Sequence, residues 1–154
     1  MSEYREIKQS LEFLAVASGS KDISAVRYLG KPPRRMVQHE AQIQTAVFEW
    51  ARVNEHKCLE LVLMYHIPNG NKRDAVTGYH LKQQGVRPGV PDICLPVAKG
   101  KYHGLYIELK AERGKIQDSQ KKWIDLLSKQ GYMAAVCYGL DDAVNLITYY
   151  LNLK

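Results

Sequence analysis

The sequence has no long apolar run and few cysteines. No stretch of its 154 residues approaches the roughly 20 apolar residues that cross a bilayer. The N-terminus lacks the basic start, apolar block and small-residue cleavage site of a secretory signal, which predicts a protein that stays in the cytoplasm. The three cysteines, Cys58, Cys94 and Cys137, are far apart and flanked by apolar residues, so we expect buried thiols rather than a zinc site.

The charge balance favours an anionic partner. The net charge is +6 and the isoelectric point is about 9.2, which is compatible with nucleic acid binding. Two glycine-lysine pairs, at Gly100 and Gly114, lack the upstream glycine and the following Ser or Thr of a phosphate-binding loop. We therefore predict no nucleotide cofactor.

Residues 1–36 differ in character from the rest of the chain. Apolar residues recur at helical spacing between positions 3 and 17, and the next segment ends in Pro32, Pro33 and two arginines. This pattern predicts an N-terminal helical extension and basic linker over residues 1–36. One compact domain over residues 37–154 is expected to follow.

The order of elements from residue 38 is typical of an α/β domain. Apolar spacings of three and four predict a helix over 38–54, and a branched and aromatic run predicts a strand over 58–68. The polar segment 71–89 predicts a loop or a short helix. Further along the chain we predict a hairpin of two strands over 92–98 and 103–111 turning at Gly100-Lys101, a helix over 117–131, a strand over 132–139 and a closing helix over 140–154.

The second hairpin strand carries an acid and a base on one face. Side chains alternate along a strand, so Glu108 and Lys110 point to the same side. If the hairpin pairs, Asp92 at the start of its first strand approaches Glu108. Two acids and a base are either a solvated surface group or a site for Mg²⁺ or Mn²⁺.

Glu40 extends the apolar stripe of the first predicted helix toward its N-terminus. An acid in line with a buried face is costly unless it is paired or bound to a cation. Glu40 is therefore either an exposed acid in the first helical turn or a site residue.

Several motifs, in order, resemble one family of nucleases. Pro91-Asp92 followed by Glu108-Leu109-Lys110 resembles the PD-(D/E)XK signature, and the wider pattern resembles the VRR-NUC family, including small stand-alone phage members. The resemblance extends over residues 37–145, in "QHEAQIQTAVFEWA", "IPNG", "GVRPGVPDICLPV", "YHGLYIELK" and "QDSQKKWIDLLSKQGYMAAVCYG". It implies a restriction-endonuclease-like α/β core, with a mixed central sheet flanked by helices.

The resemblance also implies a metal-dependent DNA endonuclease. Asp92, Glu108 and the backbone carbonyl of Leu109 would hold Mg²⁺ or Mn²⁺, with Glu40 reaching the metal directly or through water. Lys110 would orient the attacking water or stabilise negative charge on the phosphate. The resembled phage proteins imply a homodimer acting on branched DNA, such as Holliday junctions. Cleavage of RNA or of a specific duplex, and a catalytically silent nucleic-acid-binding module, are alternatives.

Gln120 and the basic residues have two interpretations each. Gln120 lies in the first turn of a helix and either bonds nearby backbone or, as the resemblance implies, supports the site or contacts DNA. The basic residues are either a solvated face or contacts to the DNA backbone. The residues predicted to contact DNA are Lys72, Arg73, Arg87, Lys99, Lys101, Arg113, Lys115 and Lys121.

Overall fold

The computed structural model describes residues 39–68 and 75–154, with only the backbone described for 75–78. The predicted extension over 1–36, together with Lys72 and Arg73, lies outside the described residues, so the domain boundary stays a prediction. Within the described part of the chain, no helix is both long and apolar enough to cross a membrane.

The described residues form a four-stranded mixed sheet flanked by helices, which confirms the predicted fold class. The sheet order is β1-β2-β3-β4; β1 and β2, and β2 and β3, are antiparallel, whereas β3 and β4 are parallel. The elements in chain order are α1 (Glu40–Asn54), a 3₁₀ helix (Leu59–Leu63), β1 (Tyr65–His66), α2 (Ala75–Gln83), β2 (Ile93–Leu95), β3 (Leu105–Lys110), α3 (Asp118–Lys129), β4 (Met133–Tyr138) and α4 (Gly139–Leu151).

The main core lies on one face of this sheet. Alternate residues of β3 point into it, and α1 and α4 cover them with their apolar stripes. The buried side chains of the three elements are Leu105, Ile107, Leu109, Ile43, Val47, Ala51, Ala143, Leu146, Ile147 and Tyr150. Because side chains alternate along β3, the remaining residues of that strand face the side on which α3 lies.

Two sequence predictions need correction. The strand predicted over 58–68 is mostly a 3₁₀ helix, followed by the two-residue β1. Its buried residues, Leu61 and Met64, are three apart, as a 3₁₀ turn requires, whereas a strand facing a core alternates every second residue. The expectation of three buried thiols holds for Cys94 and Cys137, but Cys58 is only partly buried.

The loop before β2 holds the N-terminal half of α3 against the sheet. Trp123 of α3 donates its indole N–H to the backbone carbonyl of Pro88, at 3.1 Å. Gly89 has a φ of +86°, and a Cβ built on it would lie 2.7 Å from the backbone carbonyl carbon of Ser119. Only glycine permits two backbones to approach this closely.

Replacing Gly89 by alanine tests this contact. In Gly89→Ala, the alanine would have to adopt an unfavourable positive φ, and its Cβ would clash with the α3 backbone. We therefore expect the free energy of unfolding to fall by about 2–4 kcal/mol. The measurement is urea unfolding followed by circular dichroism.

Gly85→Ala is the matched control for this experiment. Gly85 also has a positive φ, of +94°, but a Cβ there meets nothing within 4 Å. We expect it to lose only the cost of the backbone conformation, about 1–2 kcal/mol. Equal losses in the two variants would contradict the close approach of Gly89 to α3.

Candidate active site

The last residues of β3 place a carboxylate and an ammonium inside the protein. Glu108 is 1% exposed and Lys110 is 4% exposed, and Lys110 Nζ lies 2.6 Å from Glu108 Oε1. They share the face opposite the main core, as the alternation of the strand predicted. Neither belongs to a solvated surface group, so that alternative is excluded.

Lys110 also contacts two other predicted site groups. Its ammonium donates to the backbone carbonyl of Leu109 at 3.1 Å and lies 3.5 Å from Glu40 Oε2. Glu40 is the first residue of α1, and its side chain is about half exposed. It is therefore an acid in the first helical turn that also lies next to Lys110, and its role as a site residue stays a prediction.

Asp92 immediately precedes β2 and is held from both neighbouring strands. Its Oδ2 accepts the backbone N–H of Leu109 in β3 at 2.8 Å. Its backbone carbonyl accepts the N–H of Ile67, at 2.8 Å, and lies 2.8 Å from Nδ1 of His66. His66 was not among the predicted site residues, and no local pattern in the sequence indicates its contact with Asp92.

Gln120 bonds in two directions, and its role in the reaction stays a prediction. Its Oε1 accepts the backbone N–H of Gln117, at 2.8 Å, and so caps the start of α3. Its Nε2 donates to Glu108 Oε1. One amide thus ties the start of α3 to the buried carboxylate.

The predicted DNA-contact residues fall into two groups. Arg87, Arg113, Lys115 and Lys121 are exposed and belong to the segments next to the start of β2, the end of β3 and the start of α3. Lys99 and Lys101 lie in the β2–β3 turn, at the other end of β3 from Lys110. Six strand residues span about 17 Å, so these two lysines lie away from the site, although they are close to it in sequence. Lys99 instead pairs with Glu60 at 3.0 Å.

Comparisons with known proteins identify the family of this chain. The family model of the VRR-NUC domain matches residues 33–141. The chain belongs to the VRR-NUC family. A solved structure described as "VRR_NUC domain protein" is 31% identical, with a TM-score of 0.66, and the match covers 77% of this chain and 93% of that chain. No curated protein sequence matches the chain.

Membership of the VRR-NUC family gives the cluster a chemical context. The family is part of the PD-(D/E)XK nuclease superfamily, so membership implies nuclease activity on DNA. In this sequence, Asp92, Glu108 and Lys110 resemble the PD-(D/E)XK signature. The fold brings these three residues to one end of the sheet.

Burial and the contacts among the charged groups together set the pKa values of Glu108, Asp92 and Lys110. Burial raises the pKa of Glu108 to about 7, against the opposing hydrogen bond from Lys110 and with the nearby charge of Asp92 adding to the increase. Burial also raises the pKa of Asp92, although the N–H of Leu109 opposes it. For Lys110, burial alone would lower the pKa, but its hydrogen bond to Glu108 and the surrounding acids hold that pKa above its ordinary value. Lys110 is therefore protonated at neutral pH.

The residues present fit a divalent metal ion. Oε2 of Glu108 is buried and accepts no hydrogen bond from any described residue, and a buried acceptor of this kind requires a partner. Mg²⁺ takes oxygen ligands and is commonly held by only one or two carboxylates with water. Across residues 39–68 and 75–154, no three acidic, histidine or cysteine side chains form a metal-binding cluster. The fit therefore rests on two carboxylates, Asp92 and Glu108, with the carbonyl of Leu109.

The raised pKa of Glu108 predicts how stability depends on pH. In EDTA, the folded protein holds this proton more tightly than the unfolded chain, so the stabilisation is present below pH 4.5 and is lost as the pH rises through about 7. The associated loss is about 3 kcal/mol, at about 1.4 kcal/mol per pKa unit. Urea unfolding between pH 4.5 and pH 8 measures it.

Two variants separate this effect from the background titration. Glu108→Gln should flatten the decrease in stability, because it removes the titrating carboxyl. Glu49→Gln, at an exposed position of α1, should follow the wild type. An identical pH dependence in wild type and Glu108→Gln would contradict the raised pKa.

Proposed function

We propose that this protein is a Mg²⁺- or Mn²⁺-dependent endonuclease that hydrolyses phosphodiester bonds in DNA, with a preference for branched DNA. One observation carries the proposal: Glu108 is buried with one oxygen on Lys110 and the other unpartnered among the described residues. Burying a carboxylate costs free energy, and a cation bound at the free oxygen offsets that cost.

The metal ligands in this proposal come from the residue before β2, from β3 and from the start of α1. Asp92 and Glu108 supply carboxylate oxygens and Leu109 supplies its carbonyl, with Glu40 acting directly or through water. A bound divalent ion lowers the pKa of a coordinated water and neutralises charge on the phosphate. The N–H of Leu109 supports this arrangement because it fixes one oxygen of Asp92 and leaves the other available.

Lys110 acts as a hydrogen-bond donor rather than as a general base. Its raised pKa keeps it charged, so it has no free electron pair with which to accept a proton from water. In the proposed reaction its ammonium orients the attacking water or stabilises negative charge on the phosphate. Gln120 holds Glu108 in place through its amide.

Four exposed basic residues support the binding of a polyanion beside the site: Arg87, Arg113, Lys115 and Lys121. Contacts to phosphates give affinity without sequence preference. The preference for branched DNA rests on the resemblance to small stand-alone phage members. A homodimer belongs to the same proposal, because two sites related by a twofold axis cut two strands symmetrically.

Cleavage assays with site variants test the proposal directly. Asp92→Ala and Lys110→Ala should each lower the cleavage rate by at least about 100-fold, because each removes a group that acts on the phosphate or its metal. Labelled four-way junction, flap, duplex and single-stranded DNA, and an RNA of the same sequence, are incubated with Mg²⁺, Mn²⁺ or EDTA. Circular dichroism confirms that the variants are folded.

Asp125→Ala is the matched control, since Asp125 is exposed on α3 and pairs with Lys129. It should cleave like the wild type. A fully active Asp92→Ala protein would contradict the site assignment. Tight binding without cleavage in any metal would instead indicate a catalytically silent nucleic-acid-binding module, and preferential cutting of RNA would contradict the proposed substrate.

The position of the basic residues predicts a polarised binding surface. In the Asp92→Ala background with EDTA, the double change Arg113→Ala and Lys115→Ala should weaken junction binding. It should also lower the slope of log Kd against log salt concentration by about 2, at about 0.9 per phosphate contact. Fluorescence anisotropy at several salt concentrations measures both quantities.

The control removes the same charge at the end of the sheet away from the site. Lys101 lies in the β2–β3 turn and Lys129 ends α3, and both are exposed. Changing these two lysines to alanine should leave the salt slope within experimental error of its original value. Equal changes of the salt slope in the two double variants would contradict DNA binding across the end of the sheet that holds the site.

A further inference from the structure

His66 contacts the backbone of a proposed metal ligand. Its Nδ1 lies 2.8 Å from the carbonyl oxygen of Asp92. A carbonyl oxygen only accepts hydrogen bonds, so Nδ1 carries the proton and donates. The backbone N–H of Ile67 donates to the same oxygen at 2.8 Å, so one carbonyl is held by two donors from the chain at and after β1.

These two hydrogen bonds matter because the pairing between β1 and β2 is short and fixes Asp92 only weakly. The ladder between β1 and β2 has only two residue pairs, Tyr65 with Cys94 and His66 with Ile93. Asp92 itself lies outside β2, and the preceding Pro91 has no N–H to donate. A side-chain donor at this point adds a bond that the short ladder does not supply.

The two ends of Asp92 are mechanically linked. The backbone carbonyl is held from the β1 side, and Oδ2 accepts the N–H of Leu109 from β3. If the bond from His66 is lost, only the N–H of Ile67 holds this carbonyl, and we expect Asp92 to shift relative to β3. The distance between the Asp92 and Glu108 carboxylates changes with it, since Glu108 is fixed within β3.

We propose that His66 is a positioning residue, whose imidazole Nδ1–H holds the backbone of Asp92 so that its carboxylate meets Glu108 around a divalent cation. This inference rests on the proposed metal site and adds a residue to it. His66 is exposed, so it acts on Asp92 through the hydrogen bond from its ring and not through packing in a core.

Metal affinity tests the positioning role without any cleavage assay. Free Mn²⁺ is measured by electron paramagnetic resonance during titration of the full chain. His66→Ala should raise the Kd for Mn²⁺ by about 10-fold or more, the usual effect of removing a group that orients a metal ligand. His66→Asn keeps an amide N–H close to the position of Nδ1 and should remain within about threefold of the wild type on the same argument.

Two further variants control for chemistry and for general stability. His66→Gln moves the amide N–H toward the position of Nε2, away from the carbonyl, and should resemble His66→Ala. His56 makes a matching contact away from Asp92. Its Nδ1 lies 2.7 Å from the carbonyl oxygen of Val53, and the residue is exposed. His56→Ala should bind Mn²⁺ like the wild type.

A second measurement needs no metal. Amide hydrogen exchange at Leu109, in EDTA, reports the bond to Asp92 Oδ2. Exchange should be about fivefold or more faster in His66→Ala than in His56→Ala, as expected for the weakening of one hydrogen bond. This readout distinguishes a failure of the inference from a failure of the proposed function.

The outcomes separate cleanly. Wild-type Mn²⁺ affinity in His66→Ala, or equal weakening in His66→Ala and His66→Asn, would overturn the positioning role. A wild-type protein that binds no Mn²⁺ overturns the proposed metal site, and unchanged exchange at Leu109 then overturns the link between His66 and Asp92 as well. Weakening in His66→Ala with rescue in His66→Asn supports the proposal.

Discussion

The buried pair of Glu108 and Lys110 is the constraint on which the rest of this structure depends. A carboxylate and an ammonium removed from water are costly, and an apolar pair of similar size is often as stable or more so. Stability alone therefore does not account for the pair. Three other groups converge on it from different parts of the chain: Gln120 from the start of α3, Glu40 from the start of α1, and Asp92 through the backbone of Leu109.

The fold supplies this convergence through the ends of its elements. Antiparallel pairing places the start of β2 beside the end of β3, and α1 and α3 each begin near that same end of the sheet. The approach of Gly89 to Ser119 fixes where α3 begins, which in turn fixes the amide of Gln120. Short strands and close backbone contacts, rather than a large core on this face, thus determine the geometry of the site.

Much of the site followed from local pattern, and the misses have physical causes. Strand alternation was enough to place Glu108 and Lys110 on one face, because its period does not depend on the rest of the fold. Helical and strand spacing did not reveal that a single amide, Gln120, bonds in two directions. Lys99 and Lys101 are close to the site in sequence but far from it in the fold, since the two ends of a strand lie far apart. His66 was missed because its contact with Asp92 joins residues 26 positions apart.

The buried carboxylates are proposed to form the divalent metal site of a nuclease. Crystals grown with Mn²⁺ and measured for its anomalous scattering test this directly. We expect a peak within about 2.5 Å of carboxylate oxygens of Asp92 and Glu108 and of the carbonyl oxygen of Leu109. Mn²⁺ bound only elsewhere, or no ordered Mn²⁺ at a saturating concentration while Lys110 remains on Glu108, would contradict it.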